Sequence, residues 1–387
     1  MSKLRIILAV VLVCMVAACC IAETTESGEW KVKLRNEDCK REMKFSLSDS
    51  NKVAEIESTG GCKSKDPEGL IQGSIANIEF QFNVKKVPLV RMKAHTAVKV
   101  DNGPTKVVNM GGLFGFERLF EYINNDGKDG YQVNGTDTIV RSIDLSTVSW
   151  SQITVQKTVL NGSSNSFIYE ASSQATIANW CTFKMSAVVS TSEVQVTSNK
   201  TLSRSGVIQV LTPSSLKVNV ELTNIQYTAG NSLLGISSIT AYRGNLKEKP
   251  TQDKPVEEKP DDASPDQAVN QFDGDVTDQT GSSAVVLPKA FFSFQTFVSK
   301  YPTSSPTSIS RSTLGVSPFV DANEDSVKQI RDDFDTKGKV KRFYVSLLER
   351  VDNFVWDPTV GSSTSGSNGI WRGFSVVLMI CFAFFML

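Results

Sequence analysis

Strict alternation of apolar and polar residues is the feature of this sequence that most limits its fold. The clearest case is the segment Asn77–Val84, in which every second residue is apolar. A period of two places the apolar side chains on one face of a β-strand and the polar ones on the other. The polar positions hold amides and a carboxylate, so the segment predicts a sheet that is packed on one side and exposed to water on the other. The apolar positions are Ile78, Phe80, Phe82 and Val84.

The same alternation returns in many short segments between Trp30 and Tyr242, and turn-forming residues separate them. Asn102-Gly103 lies between two valine-rich segments, as in a β-hairpin, and Gly60-Gly61 predicts another turn. Strands of this number and spacing predict a mainly β fold, either an antiparallel β-sandwich or a barrel-like domain. Further strand-like segments are Trp30–Leu34, Met43–Leu47, Phe183–Val189 and Leu216–Leu222.

The composition changes abruptly near residue 247. Lys-Pro pairs begin at Lys249, Lys254 and Lys259, with acidic residues and a single apolar side chain, Val256, between them. Such a segment buries too little surface to fold, so residues 247–288 are predicted to be a disordered linker or inserted loop. Residues 289–361 then return to apolar periodicity, with one short helix expected at Asp325–Phe334 and either strand or helix at Val340–Trp356. We expect this part to close the same domain that residues 23–246 begin.

The amino-terminal residues 1–22 have the layout of a secretory signal peptide. Lys3 and Arg5 precede an apolar run, and small residues stand before the polar Glu23. Val16–Cys19 also resembles a bacterial lipoprotein signal. The carboxyl-terminal segment and the glycosylation sequons described below favour a eukaryotic secreted protein instead.

Residues 362–387 have the layout of a glycosylphosphatidylinositol (GPI) attachment signal, in which small residues and a polar spacer precede an apolar tail that is removed. The tail, Phe374–Leu387, is about 14 residues long and reaches only ~21 Å as a helix, short of the ~30 Å hydrocarbon core. A short membrane anchor and a soluble core helix are the alternatives. We expect lipid attachment at Ser363, with Ser362 and Ser365 as alternatives. This predicts a location on the outer face of the plasma membrane. Shedding of the protein from there into the extracellular matrix is a further alternative.

The net charge of the chain bears on whether it binds nucleic acid. The chain has 41 basic and 41 acidic residues, and removing both ends takes away Lys3, Arg5 and Arg372. The remaining 38 bases and 41 acids give a charge of −3, so nothing predicts nucleic-acid binding.

Of seven cysteines, Cys39, Cys62 and Cys181 remain in an oxidising compartment. We favour a Cys39–Cys62 disulfide, which leaves Cys181 as a buried free thiol or an intermolecular bridge.

No pattern in the sequence indicates catalysis, a cofactor or a metal. The chain has a single histidine, His95, and lacks the familiar nucleophile, zinc and nucleotide motifs. An exposed histidine at a strand edge is the simpler interpretation. The segment Asn124–Gly130 resembles the start of a calcium loop, but neither register puts carboxylates where an EF-hand needs them. A tight turn built on Asn, Asp and Gly is the better interpretation. A hydrolase that uses two carboxylates stays as a weak alternative.

Three Asn-x-Ser/Thr sequons stand in or beside predicted turns, at Asn134, Asn161 and Asn199. Turns are exposed to solvent, and a secreted chain meets the enzymes that attach glycans there. We therefore predict N-glycosylation at these three positions.

Three motifs together resemble a group of uncharacterised secreted animal proteins that includes skeletal organic matrix proteins of stony corals. They are GGLFGFERLFEYINNDGKDGYQ at 111–132, LTPSSLKV at 211–218 and WDPTVG at 356–361, and the resemblance covers roughly Lys85 to Gly361. It implies a non-enzymatic component of a calcified skeletal matrix, in contact with calcium carbonate or with other matrix proteins. It supplies no catalytic residue. A cell-surface adhesion or ligand-binding module is the alternative.

Overall fold

The computed structural model describes residues 22–24, 30–35, 39–62, 71–100, 105–159, 167–191, 194–197, 208–211, 215–243, 245–248, 270–275, 288–294, 297–322, 327 and 340–364. Over these residues the protein is mainly β, and most of its strands form one large antiparallel sheet that does not close. Val194–Thr197 and Ile208–Leu211 pair with each other in a separate two-stranded sheet. The predicted mainly β, antiparallel fold is confirmed. The barrel-like alternative is not what the described strands form, because the series of hydrogen-bonded ladders stays open.

The strands follow one another along the chain with few other elements between them. The first twelve are β1 (Ala22–Thr24), β2 (Trp30–Arg35), β3 (Cys39–Ser48), β4 (Val53–Cys62), β5 (Ile71–Asn83), β6 (Leu89–Val100), β7 (Thr105–Ile123), β8 (Thr138–Asp144), β9 (Thr154–Val159), β10 (Phe167–Ile177), β11 (Cys181–Ser190) and β12 (Val194–Thr197). The next twelve are β13 (Ile208–Leu211), β14 (Ser215–Thr223), β15 (Ser232–Arg243), β16 (Asn245–Glu248), β17 (Asn270–Asp275), β18 (Pro288–Ser293), β19 (Phe297–Tyr301), β20 (Ser310–Val316), β21 (Val320–Asp321), β22 (Lys341–Leu347), β23 (Asn353–Trp356) and β24 (Thr359–Thr364).

The sheet folds over into two layers. The first layer contains β2, β3, β4, β5, β6, β7, β15 and β22 in that order, with β8 paired to the second half of β7. The second layer contains β1, β9, β10, β11 and β14, followed by β23 and β24, which pair in turn with β19 and β18. Strand β20 belongs to both, because it pairs first with β19 and then with β22.

Aromatic side chains from the two layers meet in the core. Phe45 of β3 stacks on Tyr169 of β10, with ring centroids 5.9 Å apart, and Phe116 of β7 meets Phe183 of β11 at the same distance. Trp356 of β23, which is 1% exposed, contacts Phe116 at 6.1 Å. Alternation along each strand sends these residues inward, so burial of this apolar surface is the main force that holds the layers together. The result is a β-sandwich.

One predicted turn that the structure describes does not form, and another, predicted at Asn102-Gly103, lies outside the described residues. Gly60 and Gly61, expected to form a turn, lie inside β4 opposite Arg41 and Lys40. The turn between β3 and β4 instead uses Asp49–Asn51, all with positive φ. Asp and Asn tolerate the left-handed conformation better than most residues do, which makes them suitable for this hairpin.

The stretch 247–288 is not a loop along its whole length. Residues 270–275 form β17, which pairs with β16 on one side and with β18 on the other. β16 itself begins at Asn245 and ends at Glu248, just inside the expected boundary. Segment 270–275 contains no proline, whereas the Lys-Pro pairs lie outside the described residues. The change in composition therefore marks the start of the stretch better than it marks its end.

The closing segment pairs with strands from the first part of the chain. β22 lies beside β15, and both β23 and β24 pair with β14. The segment Val340–Trp356, which fitted either strand or helix in the sequence, forms strands. The expected helix Asp325–Phe334 falls outside the described residues except for Val327, which is helical and buried. The chain also continues as a strand past Gly361, to Thr364.

Candidate functional site

Five connections between strands gather at the end of the sandwich opposite to the point where the chain leaves β24. They are residues 124–137, 178–180, 224–231, 302–309 and 348–352, which join β7 to β8, β10 to β11, β14 to β15, β19 to β20 and β22 to β23. We call this surface the loop end. Loops at one end of a β-sandwich commonly carry the binding site, because the sheets hold them in place.

A buried ion pair joins several of these connections. Glu121, near the end of β7, is fully buried, and its carboxylate lies 2.6 Å from Nε of Arg141 on β8. The Arg141 guanidinium also donates to the backbone oxygens of Asn179, at 3.1 Å, and of Gln226. It lies over the ring of Trp180, with Cζ 4.2 Å from the ring centroid. One arginine therefore ties β8 to two neighbouring loops.

The second oxygen of Glu121 fixes the loop between β14 and β15. Oε1 accepts hydrogen bonds from the backbone N–H groups of Thr228, at 2.8 Å, and Ala229, at 3.3 Å, and from the hydroxyl of Ser232. Burial raises the pKa of Glu121, but these hydrogen bonds and the one from Arg141 outweigh it and hold the pKa below its ordinary value. The carboxylate is therefore charged at neutral pH and fully engaged.

A second buried glutamate of β7 is held in the same way. Glu117 receives two hydrogen bonds from Arg342 of β22, of 2.6 and 2.7 Å, and one of 3.1 Å from the Ser237 hydroxyl. A glycosidase needs a carboxylic acid with a raised pKa beside a free carboxylate. Glu121 has the opposite shift, and both glutamates are occupied by arginine. Their arrangement supports a structural role.

A shallow groove of about 210 Å³ opens at the loop end. Arg350, at its rim, lies over the ring of Tyr227 at 4.4 Å and donates to the backbone oxygen of Gly230 at 2.7 Å. Lys300 pairs with Glu349 at 2.5 Å. The rim is therefore pre-ordered, with both signs of charge. The groove is lined by Lys300, Tyr301, Pro302, Ser310, Arg350, Val351 and Asp352.

The connection 124–137 is folded by its own Asn and Asp side chains. The two carboxylate oxygens of Asp137 accept from the backbone N–H groups of Asn125, at 3.0 Å, and Gln132, at 2.9 Å. Asn124 accepts from the N–H of Gly127 at 2.8 Å. Asp126 accepts from the N–H of Lys128, two residues on, at 2.9 Å, which is the bond of the Asx turn that the sequence predicts here. The acidic oxygens of Asp137 are directed at backbone donors of the same loop.

Tyr131 anchors this connection to the outer face of the first layer. Its ring centroid lies 4.9 Å from that of Phe120 and 5.2 Å from that of Tyr344. Just before it, Gly130 packs against Gly315 of β20 so closely that a Cβ on Gly130 would lie 2.8 Å from the Gly315 Cα. Gly130 also has a φ of 77°, in the left-handed region. Two glycines therefore let the loop lie directly on the sheet.

Of the three predicted glycosylation sites, the structure describes one. Asn134 is exposed, in a turn closed by a hydrogen bond of 3.1 Å from the Gly135 N–H to the Gln132 carbonyl. Asn161 and Asn199 lie outside the described residues. Glycosylation at all three positions stays a prediction.

The backbone register places Cys39 directly opposite Cys62, on the adjacent strands β3 and β4. Facing residues of an antiparallel pair have Cα atoms ~4.5–5.5 Å apart, within the range that a disulfide spans. The disulfide itself stays a prediction. Cys181, at the start of β11, is a free thiol and 5% exposed. Burial raises the pKa of its thiol to about 12.

The residues expected to carry the lipid fall at the end of the fold. Ser362 and Ser363 lie in β24, opposite Ala290 and Lys289 of β18, and Ser365 lies outside the described residues. His95, expected at a strand edge, lies instead in an internal strand, with Asn77 of β5 on one side and Asn109 of β7 on the other.

Within the described ranges, no group of three or more His, Cys, Asp and Glu side chains is arranged to hold a metal ion. Likewise, none of the described segments is a helix with the length and apolar character that crossing a membrane requires. The apolar tail 374–387 is outside these ranges.

No model of a known protein family matches the chain, and no curated protein was found that is similar to it. The resemblance carried by residues 111–132, 211–218 and 356–361 stays a prediction. The structure shows what the first motif does in the fold. It forms much of β7 and the connection that follows it, including Glu117 and Glu121.

Sequence reasoning missed the two buried arginine–glutamate pairs. Their partners are 20 residues apart for Arg141 with Glu121 and 225 residues apart for Arg342 with Glu117. A local pattern does not report a contact of that kind. The available signal was the presence of acids in the otherwise apolar segment 111–123, since a charge on a buried strand requires a partner.

Proposed function

We propose that this chain is a non-enzymatic, GPI-anchored glycoprotein that displays the loop end of its sandwich outside the cell. The observation that carries the proposal is the position of β24. It is the last described strand, it points away from the loop end, and it ends within the small residues that precede the apolar tail. A lipid attached there leaves the loop end on the side of the domain that faces away from the membrane.

Adhesion or ligand binding is the role that the loop end favours. Its loops are tied together by the Glu121–Arg141 pair, and the connection 124–137 is held internally by Asp137, so binding would not require them to become ordered. A pre-ordered surface loses less conformational entropy on association. The groove beside Arg350 and Lys300 offers cations and an anion to a polar partner.

Incorporation into the organic matrix of a calcified skeleton is the second candidate, supported by the resemblance of residues 111–132, 211–218 and 356–361. It requires release from the membrane or contact at the membrane surface. Exhaustively washed, demineralised skeleton should then yield peptides of the chain. Staining of cell membranes alone, with no peptides from the washed mineral, would remove this candidate and leave adhesion.

Treatment of intact cells with a phosphatidylinositol-specific phospholipase tests the anchor. Cells that express the full chain should lose it to the medium on treatment. A chain ending at Thr364 is the matched control, because it lacks the tail and should enter the medium without treatment. Full-length protein that remains on the cells after treatment, while a known GPI-anchored protein is released, would refute the anchor.

A further inference from the structure

Strand β8 is an edge strand. In the part of the chain that the structure describes, Thr138–Asp144 pairs with β7 on one side and with no strand on the other. The outer side of such a strand presents backbone N–H and C=O groups that can pair with another chain. Proteins normally block this with charged residues, prolines, bulges or a cover.

Exposed apolar side chains are concentrated beside this edge. The described residues include six large apolar side chains that are exposed, and three of them lie between residues 133 and 140. Val133 is 43% exposed, Ile139 is 40% exposed and Val140 is 38% exposed. A β-branched, apolar edge strand without a cover is prone to association with a second copy.

A bulge gives this edge only partial protection. The register between β7 and β8 shifts after Glu121, so Arg141 faces Glu121, Ile139 faces Tyr122 and Val140 has no partner. A bulge twists the strand and interrupts the ladder locally. It leaves the apolar side chains exposed, however, and the single arginine of β8 is already engaged by Glu121.

The sequon Asn134-Gly135-Thr136 lies within the same short stretch. Asn134 is exposed, and its turn is held in place because Asp137, the residue immediately before β8, accepts from Gln132 and Asn125. A glycan on Asn134 is thus attached to an ordered turn, one residue from Val133 and five from Ile139. Its position relative to the edge of β8 is set by the fold.

We propose that an N-linked glycan on Asn134 covers the β8 edge and the exposed side chains of Val133, Ile139 and Val140, and keeps the protein monomeric. The inference rests on the secretory route in the proposed function. In the attachment step, the Asn134 amide nitrogen bonds to C1 of a lipid-pyrophosphate-linked oligosaccharide. The bond from C1 to the pyrophosphate oxygen breaks, the pyrophosphate leaves with its electron pair, and the amide gives up one proton.

Three variants of the full chain, expressed in a eukaryotic secretory cell line and extracted in detergent, test whether the glycan covers the edge. Thr136→Ala and Asn134→Gln both destroy the sequon, and Thr136→Ser keeps it. Glycopeptide mass spectrometry should find Asn134 occupied in the wild type and in Thr136→Ser. Light scattering after size-exclusion chromatography over a range of loading concentrations should show an association constant about tenfold larger in the two sequon-free variants, equivalent to ~1.4 kcal/mol.

A double variant distinguishes a glycan that covers the edge from a glycan that only helps the chain to fold. Ile139→Lys adds a charge to the exposed edge, so combining it with Thr136→Ala should restore the monomer without restoring the glycan. The inference fails if Asn134 is unoccupied in the wild type, if Thr136→Ala stays as monomeric as Thr136→Ser, or if the double variant remains oligomeric. A chain that never enters the secretory pathway and keeps residues 1–22 would instead refute the proposed function.

Discussion

At the scale of single residues, the absence of a side chain at Gly235 makes room for an aromatic ring. A Cβ at Gly235 of β15 would lie 2.2 Å from the ring of Phe120, which is 1% exposed. Gly235→Ala should therefore overpack the site and lower the free energy of unfolding by about 1–3 kcal/mol. Gly230→Ala is the matched control, because nothing lies within 4 Å of its added Cβ. Equal urea midpoints for the two variants would contradict the close packing.

Glu121 is the residue whose charge matters most to the loop end. Glu121→Gln leaves Arg141 without its carboxylate and should lower the free energy of unfolding by about 3 kcal/mol. Asp49→Asn, which breaks an ion pair with Lys85 whose side chains are both more than half exposed, should change it by less than ~1 kcal/mol. Urea denaturation at neutral pH measures both. Similar small losses of unfolding free energy in the two variants would mean that the buried Glu121–Arg141 pair adds little to stability.

The lowered pKa of Glu121 gives this contribution a pH dependence. A carboxylate with a folded-state pKa below its ordinary value of 4.5 stabilises the fold above pH 4.5, and the stabilisation is lost as the pH falls through the folded-state pKa. The difference in stability between the wild type and Glu121→Gln should thus be constant near neutral pH and shrink in acid. A difference that stays constant below pH 4 would show that hydrogen bonding alone, without charge, accounts for it.

The Cys181 thiol should be unreactive toward alkylating reagents in the folded protein. The thiol is buried, and its pKa of about 12 leaves almost no thiolate at pH 8. Iodoacetamide should label Cys181 only after denaturation, and non-reducing peptide mapping should recover Cys39 linked to Cys62. Rapid labelling of Cys181 in the native protein would contradict its burial. A disulfide that includes Cys181 would contradict the predicted pairing.

At the scale of elements, β24 is the strand whose extent matters most. It pairs with β14 on one side and β18 on the other, so it connects β18, and through β18 the strand β17, to the sandwich. A chain that ends at Pro358 lacks this strand and should be retained in the cell or melt at a markedly lower temperature. A chain that ends at Thr364 keeps every described pairing of β24 and is the control. Equal secretion and melting of the two would show that β24 is dispensable.

The pairing of β24 also changes the account of the tether. The sequence predicts a domain that ends at residue 361, two residues before Ser363. In the structure, Ser363 is itself paired with Lys289. A lipid on Ser363 would be joined to the sheet with no flexible residues between them.

At the scale of the whole molecule, the strand direction sets an orientation relative to the membrane. The twelve residues from Asn353 to Thr364 extend about 35 Å from the loop end to the attachment end. Val159 of β9 lies at the attachment end, because its partner Phe167 begins β10 there, whereas Ser304 is exposed at the loop end. On a bilayer, a fluorophore at Val159→Cys should be quenched by headgroup-linked quenchers much more strongly than one at Ser304→Cys. Equal quenching would mean that the domain lies flat or tumbles.

The sequence by itself determined the class of fold and the positions of most strands. Alternation with a period of two specifies which side of a strand is buried, and this is a local property that Asn77–Val84 already shows. It failed at Gly60-Gly61 and at residues 270–275, because a neighbouring strand imposes extended structure there in spite of weak local preference. The exposed side chain of Asn134 could also be expected from its turn-forming neighbours.

Only the tertiary structure decided which residues make up the loop end and how its loops are held. The pairs Glu121–Arg141 and Glu117–Arg342, and the contact of Gly130 with Gly315, join residues that are remote in the chain. They exist because two layers of strands bring the ends of many segments to one place. The same arrangement put Ser363 in a paired strand and left β8 at an edge, since the neighbours of a strand depend on the whole sheet. Local sequence fixes the face that a strand buries, whereas the strand's neighbours follow from how all the strands pack.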